Sequence, residues 1–356
     1  MICMMNVTRL SVFSAIAFLI SFLLFPVIIK IFKQLKWFDA PGTHKIHSEF
    51  VPSMGGVSIL VGSFLAFLMS LPLQQWINMK YFFVSVTLMF LIGLRDDVLA
   101  LTPRQKLFSQ FLPVFVLVFL ENVMLRSFYG FLGDGGQFPI ALSYAITLFT
   151  VIIITNAYNL IDGIDGLAGT VGFLAMFFFG VWFYIADLPY LSLIALCFAG
   201  ALIAFLCFNW QPSSIFMGDT GALTVGLVLS FFAIRFINYN YTLPDDHMAK
   251  FQGSICTAIC VLIIPMFDTL RVIILRLRSL QSPFHADRKH LHHRLLAIGL
   301  SHGGAVIWIA GINIFFVALA VLLRSQSDIV LLPIIVILCL LISFTLKWKQ
   351  QTARIH

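Results

Sequence analysis

Eleven predominantly apolar runs, most of them near twenty residues long, succeed one another along this chain, and they constrain its fold more than any other feature. A helix needs about 20 such residues to cross about 30 Å of hydrocarbon, and it satisfies its backbone hydrogen bonds within itself. The runs cover roughly 11–31, 54–73, 80–94, 107–125, 138–158, 167–186, 188–208, 221–239, 252–274, 303–323 and 329–346. They are continuous, whereas barrel strands would alternate. The third is short, and the division of the sixth from the seventh rests on Asp187 and Pro189. The first is about twice the length of a signal-peptide core, and Lys30, Lys33 and Lys36 follow it in place of a small-residue cleavage site. The expected fold is all-α, a polytopic membrane bundle of about 11 helices forming one domain over residues 1–356.

Composition supports this. Only 10% of residues are charged and 60% are hydrophobic, against about 25% charged in a typical soluble domain. Such a chain is neither disordered, nor a basic nucleic-acid binder, nor a disulfide-stapled module. Five of the six cysteines, Cys197, Cys207, Cys256, Cys260 and Cys339, lie in or beside apolar runs, where packing is their simplest role.

Basic residues orient the bundle. With the N-terminus outside and the C-terminus in the cytoplasm, only Arg9, Lys80, Arg126, Arg235, Lys250 and Arg324 fall on the outer side. All other Lys and Arg fall on inside segments, which makes the net charge of +7 largely an orientation signal. The acids and imidazoles gather at the same level. Asp96 and Asp97 follow the third run, Asp162 and Asp165 follow the fifth, Asp219 precedes the eighth and Asp268 lies near the end of the ninth. His44 and His47 follow the first run; His285, His290, His292 and His293 follow the ninth. The inside loops at about 32–53, 95–106, 156–169, 209–221 and 271–302 thus describe an active site at the cytoplasmic membrane surface.

The stretch Asn156-Ala-Tyr-Asn159-Leu-Ile-Asp162-Gly-Ile-Asp165-Gly is the most informative. Spacings of three place Asn156, Asn159 and Asp162 on one helix face. Amides and acids at a helix end suit a metal-bound phosphate ligand. An Asp-Gly turn alone would not explain two Asn in an apolar run, where unpaired amides are costly. Asp96 and Asp97 point about 100° apart on a helix, so one can face a ligand while the other holds a neighbour. They could equally solvate a loop and pair with Arg95 or Arg104. Thr102-Pro103-Arg104-Gln105 reads as a capping box opening the next helix. Asp219, between Gly218 and Thr220-Gly221, is either a helix cap or a magnesium ligand. In Asp287-Arg288-Lys289-His290-Leu291-His292-His293-Arg294, a helix would put Asp287, His290 and His293 on one face with Arg294 beside them. Phosphate oxygens are the ligand such groups suit; a plain basic loop and a zinc site are the alternatives.

With these residues in view, the chain resembles the polyprenyl-phosphate N-acetylhexosamine-1-phosphate transferases, the group that includes MraY and WecA. The likeness runs from about Asp39 to Arg294 and rests on five motifs in order. They are Asp39-Ala-Pro41…Lys45-Ile-His47…Gly55-Gly56, Asp96-Asp97, the Asn156-to-Gly169 stretch, Met217-Gly218-Asp219, and Asp287-Arg-Lys-His-Leu-His-His293. The interrupted His290-Leu291-His292-His293 looks like the UDP-N-acetylglucosamine branch, since the peptidoglycan branch carries three consecutive His.

The resemblance implies a bacterial inner-membrane enzyme that moves a sugar-1-phosphate from a UDP-sugar to undecaprenyl phosphate and releases UMP. Its cofactor would be Mg2+, with Mn2+ as a substitute. UDP-N-acetylglucosamine, undecaprenyl phosphate and the bilayer would be its partners, with no nucleic acid and a homodimer left open. By the same resemblance, Asp96, Asp97, Asp162 and His290 are catalytic candidates, and Asp219 with Asp162 the metal ligands. Lys45, His47, Asn156, Asn159, Asp165, His292, His293 and Arg294 would bind substrate. One departure stands out: His44 occupies a position where the family usually has Arg, and it is left out of the set. A transporter, a non-catalytic scaffold and a CDP-alcohol phosphotransferase are the rival readings. The first would need charge inside the membrane, for which Glu121 and Arg235 are the obvious residues.

Overall fold

The computed structural model describes residues 6–35, 51–70, 73–131, 136–279 and 290–352. Asp39 to His47, with Lys45 and His47, and also His285 and Asp287 to Lys289, lie outside the described residues. The regular elements described are helices: α1 (Val7–Leu35), α2 (Gly55–Ser70), α3 (Leu73–Asn78), α4 (Lys80–Val98), α5 (Pro103–Phe115), α6 (Ile140–Leu160) and α7 (Leu167–Ile185). Then come α8 (Pro189–Asn209), α9 (Gly218–Thr242), α10 (Ser254–Val261), α11 (Ile263–Arg278), α12 (Leu291–Ala297), α13 (His302–Leu322) and α14 (Asp328–Thr352). Each of the eleven apolar runs falls on one of these helices or on an adjoining pair.

Seven described helices are long and apolar enough to cross a membrane by length and composition, and the bent pair α10–α11 makes an eighth. The expected eleven is not reached on that measure, for local reasons. Helix α2 has 16 residues. Helix α4 has 19, but they include Lys80, Arg95, Asp96 and Asp97. Helix α5 stops after 13 residues and passes through Pro113 into a π turn, Val116–Leu120. Its start is the expected capping box: the Gln105 N–H donates to Thr102 Oγ1 at 3.4 Å, and the Thr102 N–H donates to Gln105 Oε1 at 3.0 Å.

Helix α9 is the axis of the bundle. Its most apolar stretch is 94% buried, against 17% for α1 and 22% for α14 at the periphery. Small residues let neighbours reach its backbone at the N-terminal end. A Cβ on Gly56 of α2 would collide with Gly221, and one on Gly93 of α4 would sit 2.5 Å from the Asp219 carbonyl oxygen. Close backbone approach of this kind is how helices associate where lipid removes the hydrophobic drive. The segment before α2 runs alongside the α8–α9 loop: Phe216 N–H donates to the Pro52 carbonyl at 2.9 Å, and Gly55 N–H donates to the Phe216 carbonyl at 2.9 Å.

The ninth run is not one straight span. Helices α10 and α11 meet at 86° around Leu262. Pro265 has no N–H to donate to the Val261 carbonyl four residues back, so the ladder opens there. Asn313 of α13, fully buried, donates from Nδ2 to that carbonyl at 3.1 Å. The bend redirects α11 so that Asp268 and Arg271 meet the start of α12.

Candidate active site

The C-terminal ends of α4 and α6 and the N-terminal ends of α5 and α9 meet at one end of the bundle, because these helices alternate in direction around α9. Asp96 and Asp97 close α4. Asp96 is buried; its Oδ1 accepts the Leu101 N–H at 2.6 Å, which shapes the α4–α5 turn. Its Oδ2 lies 3.0 Å from Lys106 Nζ. Lys106 also pairs with Asp219 Oδ1, so one ammonium group joins two carboxylates from different helices. Neither Arg95 nor Arg104 takes the part the sequence suggested for them.

Asp97 caps α9 across the interface. Its Oδ1 accepts the Asp219 N–H at 2.8 Å, and its Oδ2 accepts the Thr220 N–H at 2.8 Å and the Thr220 hydroxyl. A carboxylate at a helix N-terminus meets the positive end of the dipole and satisfies free N–H groups. Gly218 adopts φ +71° beside it, and a Cβ there would lie 2.7 Å from Asp97 Oδ2, so only glycine fits this turn. Asp162 follows the end of α6, after the C-cap Ile161, and its carboxylate is faced by the Gly218 N–H.

Among the described residues, the cluster holds more acid than its one lysine neutralises. Burial, then the nearby Asp219, Asp97 and Asp165 charges, raises the Asp162 carboxyl to about 7. Burial also lifts Asp97 to about 7, against hydrogen bonds from Thr220 that favour its charged form. Carboxylate oxygens in excess are what a hard divalent ion such as magnesium takes, with substrate phosphate completing its shell. Among the described residues, no three His, Cys, Asp or Glu side chains form a ready ligand set. Both oxygens of Asp97 are engaged by α9; Asp162, and Asp219 through the oxygen Lys106 does not take, could hold such an ion.

A second cluster surrounds the start of α12. Asp268 is buried and accepts three donors: Arg271 at 2.7 Å, the Leu291 N–H at 2.8 Å and, from its other oxygen, His290 Nδ1 at 2.9 Å. With Nδ1 turned to Asp268, Nε2 is the free edge of His290. His290 itself is extended, with φ −62° and ψ 156°, and the helix begins at Leu291. The expectation that His290 and His293 share one continuous helix face is therefore corrected; His290 is the residue ahead of the helix. His292 is buried, and neither ring nitrogen has a hydrogen-bond partner. Burial and the neighbouring His293 push it down to about 3, so it is a neutral imidazole. Its ring stacks parallel to His290 at 5.9 Å and lies against Gly163, where a Cβ would strike it. Asp165 Oδ2 is 4.0 Å from His302 Nδ1. The loop 162–165 thus lies between the two clusters.

Of the other expected site residues, Asn159 is half-buried on the last turn of α6, and His293 and Arg294 are half-buried on α12. Asn156 faces α5, where it pairs with Gln110. The sequence reading missed Lys106 as a site residue; its signal was a lysine on the first turns of a capped helix directly after two acids. It noted Asp268 without seeing its partners, which are Arg271 one turn along α11 and His290 and Leu291 at the start of α12.

Comparison with known proteins bears on this end of the bundle. Residues 79–237, which carry Asp96, Asp97, Lys106, Asp162 and Asp219, match the model of glycosyl transferase family 4. A probable undecaprenyl-phosphate N-acetylglucosaminyl 1-phosphate transferase from Bacillus subtilis (strain 168) is 30% identical over 329 residues, spanning 91% of this chain and 88% of the relative. The chain belongs to glycosyl transferase family 4. An undecaprenyl-phosphate alpha-N-acetylglucosaminyl 1-phosphate transferase from Yersinia pestis is 26% identical over 357 residues, covering 98% of this chain and 95% of that one. A phospho-N-acetylmuramoyl-pentapeptide-transferase from Wolbachia sp. subsp. Drosophila simulans (strain wRi) is 33% identical over 240 residues, 60% of this chain and 70% of the relative. Likeness to the N-acetylglucosaminyl relatives therefore extends along far more of the chain. Family membership also removes the transporter reading of Glu121 and Arg235, which pair with each other at 3.4 Å at the opposite end of the bundle.

Proposed function

We propose that this membrane enzyme transfers N-acetylglucosamine-1-phosphate from UDP-N-acetylglucosamine to undecaprenyl phosphate, releasing UMP. The observation that carries the reading is the excess of carboxylate around Asp219, which Lys106 joins to Asp96, at the meeting point of α4, α5, α6 and α9. The near-full-length likeness to N-acetylglucosaminyl 1-phosphate transferases supports the donor. The site faces the cytoplasm of a bacterial inner membrane in this reading, as the distribution of basic residues suggests.

An oxygen of the lipid phosphate attacks the β-phosphorus of the nucleotide sugar. The bond from that phosphorus to the oxygen bridging to the α-phosphate breaks, and UMP leaves with the electron pair. Lys106, released from Asp96 or Asp219 as substrate enters, offers its ammonium group to charge on the transferring phosphoryl group. The free edge of His290, oriented by Asp268, and Arg294 would meet charge on the leaving phosphate. Lys45 and His47 would add further positive groups. Asp96 or Asp97 orients the lipid phosphate. Magnesium held by Asp162 and Asp219 would supply charge neutralisation at the diphosphate. The direct route needs no covalent enzyme intermediate, because a lipid phosphate is already a competent nucleophile.

The test uses purified protein in detergent with undecaprenyl phosphate, magnesium and a panel of UDP-sugars, following UMP release and the mass of the lipid product. A lipid-diphosphate N-acetylglucosamine is expected. Product from only another UDP-N-acetylhexosamine would change the sugar and keep the chemistry. No UMP from any donor, with folded protein, would overturn the reading.

A further inference from the structure

We propose that Gln110 and Asn156 form an amide pin that sets the register of α5 against α6, so that both act as positioning residues for Lys106 and Asp162. The inference rests on the transferase reading for its activity readout. It departs from the sequence expectation that Asn156 binds substrate.

Helix α5 buries little apolar surface, and besides the Lys106 ion pairs few contacts hold it. Phe108 is 80% exposed, and Phe111, Leu112 and Phe115 are exposed with it. Its buried residues are Gln110, Pro113 and Val114. In lipid, apolar side chains do not fix a helix against its neighbour, because hydrocarbon receives them equally well. Polar contacts must set the register instead. Ser85 Oγ donates to the Pro113 carbonyl at 2.6 Å, tying α5 to α4. Towards α6, Gln110 and Asn156 face each other head to head. Gln110 Nε2 donates to Asn156 Oδ1 at 3.2 Å, and Asn156 Nδ2 donates to Gln110 Oε1 at 2.7 Å.

Asn156 is fully used as a donor. The second Nδ2 hydrogen of Asn156 goes to the Ile152 carbonyl at 2.8 Å. An amide nitrogen carries two donors, so Asn156 has none left for a phosphate. Gln110 is completely buried. A slip of α5 by a turn would leave two amides unpaired away from water, which is costly. Gln110 lies four residues after Lys106, on the same face of α5. Asn156 lies three residues before Asn159 and six before Asp162 on α6. One contact, a turn below the charges, therefore fixes the height of the ammonium group against the acids.

The test exchanges the two amides. Gln110→Asn, Asn156→Gln and the doubly exchanged protein are compared with the full-length wild-type enzyme in UMP release, with UDP-N-acetylglucosamine and undecaprenyl phosphate each varied. Each single exchange misplaces one amide by a methylene and should lower kcat about tenfold while KM for the nucleotide sugar stays within about twofold. The double exchange restores the head-to-head pair and should return kcat to within about threefold of wild type. A merely structural or additive role predicts a double exchange slower than either single, and that result overturns the pin. So does Asn156→Gln raising KM at unchanged kcat, the mark of direct substrate contact. Should a single exchange fail to fold, the double decides alone: near wild-type turnover supports the pin, and slow turnover or failure to fold overturns it. If wild type releases no UMP from any donor, the transferase reading fails, and recovery of melting temperature across the same four proteins still tests the pin.

Discussion

The two ends of the bundle handle buried charge in opposite ways. At the far end Glu121 is matched: it accepts the Phe82 N–H at 3.1 Å and pairs with Arg235 at 3.4 Å. Nearby, Asn238 donates to the Met124 carbonyl at 2.9 Å and accepts from the Tyr129 hydroxyl at 2.5 Å. Asp328 caps α10 through the Cys256 N–H at 2.6 Å and the Ile255 N–H at 3.3 Å. Each group there closes a helix end or a loop. At the near end, Lys106 joins Asp96 to Asp219, Asp97 and Asp162 lie beside Asp219 with no cation of their own among the described residues, and both are raised to about 7. Matched polar groups in an apolar bundle are structural; unmatched acids kept together are available for a ligand.

The largest expected contrast sets Asp219→Asn against Glu121→Gln. The first should lower UMP release by about a thousandfold with the melting temperature in detergent nearly unchanged. The second should leave turnover within about threefold and lower the melting temperature, since it breaks a half-buried pair. Loss of activity in both would erase the distinction. Next comes Lys106→Ala, expected to slow turnover by about a hundredfold by removing the cation between Asp96 and Asp219. Its counterpart Arg235→Ala, at a half-buried pair, should cost about 1–2 kcal/mol of stability and little activity.

pH sharpens the comparison further. Asp97 and Asp162 have folded values raised from 3.8 to about 7. The folded state then binds more protons than the unfolded one between these values, so stability is full below about 4 and is lost as pH rises through about 7. Metal-free protein should melt at a progressively lower temperature from pH 5 to pH 8, while turnover with magnesium rises over the same range as the carboxylates ionise. Asp162→Asn should flatten the melting trend. The smallest effect is at Asp268. Asp268→Asn should slow turnover about tenfold, because His290 loses the acceptor that fixes its ring. Asp328→Asn, at a cap of the far end, should change melting alone.

Much of this was legible in the sequence, for reasons that differ by element. Hydropathy marked the long helices, and Thr102 to Gln105 announced the start of α5, because both signals are local. The count of spans was less legible. Pro265 looks like any proline in an apolar run until Asn313, from a distant helix, is seen to take the carbonyl it frees. The acids were visible as a set, since they recur at one level in successive loops. Their division of labour was not. Asp97 caps α9, and Asp96 shares Lys106 with Asp219; these are contacts between residues more than a hundred positions apart or across a turn. Gln110 went unread because a lone amide in an apolar run has no meaning without the helix opposite.

The most direct test of the near-end acid excess is Mn2+ titrated into metal-free, purified protein and followed by electron paramagnetic resonance. Wild type and Glu121→Gln should each take up one ion, and Asp162→Asn combined with Asp219→Asn should take up none. An ion bound equally well by the doubly substituted protein, or lost with Glu121→Gln, would contradict the account.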